Sequence, residues 1–144
     1  MISVLLDTNI LLDALQERQP FDIAAKKLLL LGQQGAVRCF FTANAATDIF
    51  FLYSKARDKA TAKEALSFLI RAYGVVPISQ EDCLNALSLP NDDFEDALVE
   101  VCAKKIRADY IVSRDERFAE IATEVRVITP AELFAILQND PRGS

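Results

Sequence analysis

The chain has 144 residues, of which 51% are hydrophobic and 26% charged, proportions of an ordinary globular protein with enough length to bury a real core. Its formal net charge of -5 disfavours a protein that coats nucleic acid through its overall field, although bound divalent cations can reverse the sign locally. It contains no histidine, which excludes a Ser-His triad or a His-Glu zinc site and leaves carboxylates, lysines, hydroxyls and bound water for any acid-base or metal chemistry.

Short β-like runs alternate with amphipathic helical stretches, the pattern of an α/β domain with a mostly parallel sheet. The reading predicts strands at Ile2–Leu6, Val37–Phe41, Val75–Ile78, Tyr110–Val112 and Arg126–Ile128. Helices are predicted at Ile10–Leu15, Ile23–Gln33, Ala45–Ala56, Ala60–Ala72, Gln80–Ser88, Phe94–Arg107, Glu116–Ala122 and Ala131–Gln138. Gly35 and Gly74 each follow a helix, and Pro130 belongs in the first turn of the last one with Thr129 as its cap. Along Phe94–Arg107, the residues Phe94, Leu98, Val101, Cys102 and Ile106 recur at helical spacing and are expected to face the core. Residues 1–138 are read as one domain and 139–144 as a disordered polar tail.

No apolar run approaches the length of a membrane span. The N-terminus has no basic n-region and Asp7 interrupts its hydrophobic stretch, so it makes a poor signal peptide and a cytoplasmic location is expected. Cys39, Cys83 and Cys102 show no C-x-x-C spacing and sit beside apolar residues, which reads as buried free thiols. Lys55, Arg57, Lys59 and Lys63 are grouped along one segment; a solvated helix surface is the favoured reading, contact with phosphates the other.

The acids carry the chemistry. Asp7 ends the first strand, and Asp109-Tyr-Ile-Val-Ser113-Arg114-Asp115 repeats that design downstream. Sites in open α/β sheets form beyond the carboxyl ends of parallel strands, so two strands delivering carboxylates there suggest one anionic pocket. Asp92, Asp93, Glu95, Asp96 and Glu100 crowd the start of a helix. Each aspartate taken singly reads as a helix cap or a complement to the helix dipole. Taken together they repel one another unless a cation joins them, which points to a metal site. Asp48 lies in an otherwise apolar helical stretch after the second strand, where a solvent-facing position is the plain alternative.

Three blocks in this order and at these separations resemble a PIN domain, the metal-dependent ribonuclease fold of VapC-type toxins and related bacterial proteins. They are Leu5-Leu-Asp7-Thr-Asn9-Ile-Leu-Leu-Asp13, Asp93-Phe-Glu-Asp96-Ala-Leu and Asp109-Tyr-Ile-Val-Ser-Arg-Asp115-Glu-Arg-Phe118. The resemblance implies a three-layer α/β/α, Rossmann-like fold with a central, mostly parallel five-stranded sheet. It matches Asp7, Asp96 and Asp115 to the family's first, third and fourth acids and Asp93 to an extra acid of one subgroup, a metal set of Asp7, Asp93, Asp96 and Asp115. Asn9 and Ser113 match pocket-lining polar residues, and Arg114 or a nearby lysine is read as contacting a substrate phosphate. The family's second acid is normally a Glu six residues beyond a Ser or Thr; here Thr42 precedes Asp48 by that spacing, one methylene short.

Hard oxygen ligands without histidine or paired thiols select Mg²⁺ or Mn²⁺. The implied activity is hydrolysis of RNA phosphodiester bonds, with an antitoxin protein and a homodimer as implied partners. A haloacid-dehalogenase-type hydrolase would need an Asp where the chain has Asn9. The remaining alternatives are a non-catalytic PIN-like binding module and an α/β protein whose acids are only caps.

Overall fold

A computed structural model describes residues 1–140. Among them five strands form one sheet: β1 (Ser3–Leu6), β2 (Arg38–Thr42), β3 (Gly74–Val76), β4 (Tyr110–Val112) and β5 (Val127–Ile128). The helices are α1 (Thr8–Leu15), α2 (Asp22–Gln33), α3 (Ala43–Ala56), α4 (Lys59–Ala72), α5 (Gln80–Leu87), α6 (Phe94–Lys105), α7 (Glu116–Ile121) and α8 (Pro130–Asn139). The spatial order is β3-β2-β1-β4-β5 and every pairing is parallel. Chain order therefore reverses between β1 and β4, the place where α/β sheets open a crevice.

The strands read as apolar runs because both faces are covered. Val4, Leu6, Cys39, Phe41, Val112 and Ile128 pack on one side with residues of α1, α2, α3 and α8. Leu5, Val76, Ile111 and Val127 face the other, against Val99, Cys102 and Ala103 of α6 and Phe118 of α7. This alternation along each strand makes the three-layer sandwich.

Local signals set the ends of elements. α2 stops in a Schellman arrangement: Gly35 takes φ +78°, its N–H reaches the Gly32 carbonyl at 3.2 Å, and the Ala36 N–H reaches Leu31 at 3.0 Å. Pro130 occupies the first turn of α8, capped by a reciprocal Thr129–Glu132 box. β3 lies earlier than expected, ending at Val76 because Pro77 has no N–H for the ladder. Phe94 is a correction: it stands at the exposed start of α6, 42% accessible, while Leu98 and Cys102 are buried. Cys39 and Cys102 are buried free thiols, whereas Cys83 is only half-buried. Asn139 closes α8 rather than opening the expected tail, and positions 141–144 lie outside the described residues. No described helix is long and apolar enough to cross a membrane.

Glu100 leaves the acidic group altogether. It is fully buried on α6, and its Oε2 accepts the N–H groups of Thr123 (2.7 Å) and Glu124, fixing the loop that leads into β5. Glu100→Ala strands both donors, and we expect it to lower stability by about 1–3 kcal/mol. Urea unfolding checks this, with Mn²⁺ binding unchanged in the folded variant.

Candidate active site

Asp7 is the first residue beyond β1 and only 7% accessible. Its carboxylate caps α1 through the Thr8 N–H at 2.9 Å, and it also accepts the Ser113 hydroxyl at 2.8 Å and the Asn9 amide at 3.3 Å. Burial raises its pKa; the bonds from Ser113 and Thr8 oppose that, and the fields of Asp115 and Asp93 add to it. The cap and the pocket position are therefore the same atom group.

The start of α6 brings the next acids. Asn91 is buried and its Oδ1 accepts the Asp93 N–H at 2.9 Å, a local turn that aims the chain into the helix. Asp93 then caps α6 by accepting the Asp96 N–H at 3.1 Å. The half-buried Asp96 carboxyl is pushed up to about 7, first by desolvation and then by Asp93, Asp7 and Asp115, while Asn91 pulls it down. Glu95 bonds across to Asp48 of α3; that contact, then burial and neighbouring charge, drives Glu95 up to about 8. Two carboxyl groups in contact cannot both ionise cheaply, and here the cost falls on Glu95.

From β4, Ser113 joins the two strands. Its Oγ donates to Asp7 and receives the Asn9 amide at 3.2 Å and the Asp115 N–H at 3.1 Å. Asp115 is exposed and caps α7, its Oδ1 accepting the N–H groups of Arg117 (3.0 Å) and Phe118 (3.2 Å). A cleft of about 320 Å³ opens beside Ser113, Arg114 and Asp115. Arg114 turns its guanidinium onto Asp13 of α1 rather than into open space. A larger hollow of about 460 Å³ between α5 and α6 is lined by charges already paired, Lys105 with Asp82 and Lys104 with Glu124. Lys55, Arg57, Lys59 and Lys63 are exposed around the α3–α4 turn. That turn lies at the opposite end of α3 from Thr42, about 20 Å along the helix.

The structure thus gathers Asp7, Asp93, Asp96 and Asp115 within one another's fields, with Asp48 and Glu95 adjoining. Among the described residues no three acids, cysteines or histidines stand as a ready ligand cage. The cap bonds turn one oxygen of Asp93 and of Asp115 toward backbone and leave the other of each unengaged by those caps. The donor chemistry nevertheless fits a hard divalent cation: all oxygen, mutually repelling, and desolvated at Asp7 and Asp96. Asn9 adds a second sign, because its Oδ1 is buried with no partner beside Asp7.

Residues 3–117 match the family model described as PIN domain. The chain belongs to the PIN-domain family. No curated protein sequence matches it. In solved structures the PIN fold of this chain is similar to that of VapBC2 from Rickettsia felis bound to promoter DNA, with TM-score 0.68, 14% identity, and 89% and 98% of the two chains covered. A toxin–antitoxin complex from Klebsiella pneumoniae gives 0.67 at 21% identity, covering 88% and 97%. VapC20 of Mycobacterium tuberculosis, a sarcin-ricin loop cleaving toxin, gives 0.68 at 15% identity, covering 85% and 98%. The five-stranded parallel sheet is the one these proteins share with the chain.

Sequence reasoning passed over three residues here. Glu95 reads as dipole compensation until α3 is seen beside it. Asn91 carried a signal, an Asn two residues before a cap. Asp13, inside the quoted first block, reads as one more polar position of a helix until Arg114 is found on it.

Folding raises the carboxyls of Asp96 and Glu95 from 3.8 and 4.5 to about 7 and about 8, so the native state holds protons that the unfolded chain has released. Stability of the metal-free protein should therefore fall as pH rises from about 4 to about 8. Thermal unfolding in chelator at pH 5 and pH 8 measures this. Added Mg²⁺ should raise the melting temperature more at pH 8 than at pH 5, where protons compete for the same oxygens.

Proposed function

We propose that the chain is a divalent-metal-dependent ribonuclease that hydrolyses RNA phosphodiester bonds and serves as the toxin of a toxin–antitoxin pair. The observation that carries the reading is the group of desolvated acids at the β1–β4 switch point, whose repulsion a cation would relieve. Membership in a family of nucleases that use divalent metal ions supports it. Similarity in fold to VapBC complexes supports a small antitoxin as partner, and the working form is read as a cytoplasmic homodimer.

Asp7, Asp96 and Asp115, with Asp93, would hold Mg²⁺ or Mn²⁺. When bound, the ion supplies a water acidic enough to attack phosphorus at neutral pH and a counter-charge for the leaving oxygen. The chain's own residues prepare the rest. Ser113 and Thr8 fix the Asp7 carboxylate, and Asn9 bridges Asp7 to Ser113 and lines the substrate side. Asp48, at the sequence position of the family's second acid and engaged with Glu95, or else Asp93, would orient that water.

A second reading is favoured by one observation. Asp48 is one methylene shorter than the usual Glu and is engaged with Glu95, which suits a PIN module that binds RNA or protein without cutting. Mn²⁺ titration followed by incubation with structured RNA separates the two: cleavage marks the enzyme, binding without cleavage the module.

Asp7→Asn keeps the Thr8 cap through its remaining oxygen and removes the buried charge, while its amide nitrogen turns to Ser113 as a donor. We expect it to fold normally and to lose metal-dependent RNA cleavage by at least about 100-fold. Undiminished cleavage by the purified variant would reject the assignment.

A further inference from the structure

We infer that Arg114 is a positioning residue: paired with Asp13, it braces the Ser113–Asp115 turn against α1 and keeps the acids of β1 and β4 facing each other. The inference rests on the nuclease reading of that site and replaces the direct phosphate contact that sequence assigns to Arg114.

Asp13 is fully buried near the end of α1, in a setting that demands a partner for its charge. Arg114 supplies one with both arms of its fork, Nε to Oδ2 at 2.7 Å and Nη2 to Oδ1 at 3.1 Å. Its guanidinium is also seated 4.1 Å from the centroid of the Phe21 ring, which holds the plane from the other side. Arg18 approaches the same carboxylate only to 3.9 Å, too far to replace the pair. An Arg114 turned outward to a phosphate would leave Asp13 buried with this one distant neighbour, a strongly unfavourable state.

The consequence for the acids follows from connectivity. The turn is pinned at two points of one helix: Ser113 to Asp7 at the N-cap of α1, and Arg114 to Asp13 near its last turn. The Ser113 N–H also reaches the Ile128 carbonyl at 3.0 Å and Asp115 caps α7, so β5 and α7 hold the turn on one side while the Arg114–Asp13 pair ties it to the far end of α1. The two ties to α1, about 9 Å apart along the helix, oppose rotation of the turn about either one. Misplacement of a reacting group by about 1 Å can cost about 100-fold in rate.

The test compares wild type with Arg114→Lys, Arg114→Gln, Asp13→Asn and the double variant Asp13→Asn/Arg114→Lys, reading kcat and KM on RNA in Mn²⁺, Mn²⁺ affinity by calorimetry, and melting temperature. Lysine keeps the charge but not the fork, so it separates a phosphate contact from a brace. We expect both Arg114 variants and Asp13→Asn to lower kcat by about 10- to 100-fold with KM unchanged and Mn²⁺ bound more weakly. The double variant should be no worse than either single one, as for two halves of one contact. Retained kcat in Arg114→Lys with raised KM in Arg114→Gln overturns the inference, as do additive losses. If Asp13→Asn fails to fold, the two Arg114 variants still decide. An inert wild type that binds no Mn²⁺ removes the nuclease reading and this one together, whereas an active wild type with an unaffected Arg114→Lys removes only the brace.

Discussion

Like charges forced together where water is scarce govern the design of this molecule. Asp7 is buried at the end of the central strand, and Asp93, Asp96 and Asp115 all raise the cost of its charge or bear the cost of each other's. The apolar layers on either face of the sheet supply the driving force that holds them there. Around the acids the chain uses its polar atoms sparingly. Ser113 bonds to Asp7, Asn9 and Asp115 from a single hydroxyl, so one atom joins the polar ends of two strands already paired through their backbones.

Helix capping and the acidic pocket are two uses of the same residues. Asp7, Asp93 and Asp115 begin α1, α6 and α7, and each accepts backbone N–H groups that would otherwise be unsatisfied. The positive end of each helix dipole partly offsets the repulsion. β1 feeds α1 and β4 feeds α7, while α6 runs back into β4, so all three N-termini lie at one edge of the sheet and the caps converge into a cluster. Asp96 belongs to none of these caps. Its carboxyl sits one turn into α6 without a backbone donor of its own, and the largest upward push of the switch-point aspartates falls there.

The fold was legible because its signals are local. Apolar runs marked the five strands, Thr129-Pro130 marked the start of α8, and Gly35 marked the end of α2. Errors arose where periodicity stands in for packing. Phe94 has the right spacing to face inward, yet it is the first residue of α6 and projects past the neighbouring layer. The placement of Asp7, Asp96 and Asp115 could be read from strand ends and one helix start. The Asp13–Arg114 and Asp48–Glu95 pairs could not, since each joins side chains from distant segments whose meeting depends on how helices lie across the sheet. No repeat or local composition encodes such a contact.

The Asp48–Glu95 pair bears on how the site tolerates its departure from the usual second acid. A shorter carboxylate on α3 retreats from the pocket by one methylene, and Glu95 on the facing helix reaches toward it. With Glu95 raised to about 8, the pair adds less negative charge to the crowded edge than two ionised carboxylates would. That arrangement lowers the repulsion Asp7 and Asp96 must withstand in the metal-free protein. It also ties the approach of α3 to the same helix start that supplies Asp93 and Asp96, so a change in the seating of either helix would alter the proton affinity of Glu95 together with the spacing of those acids.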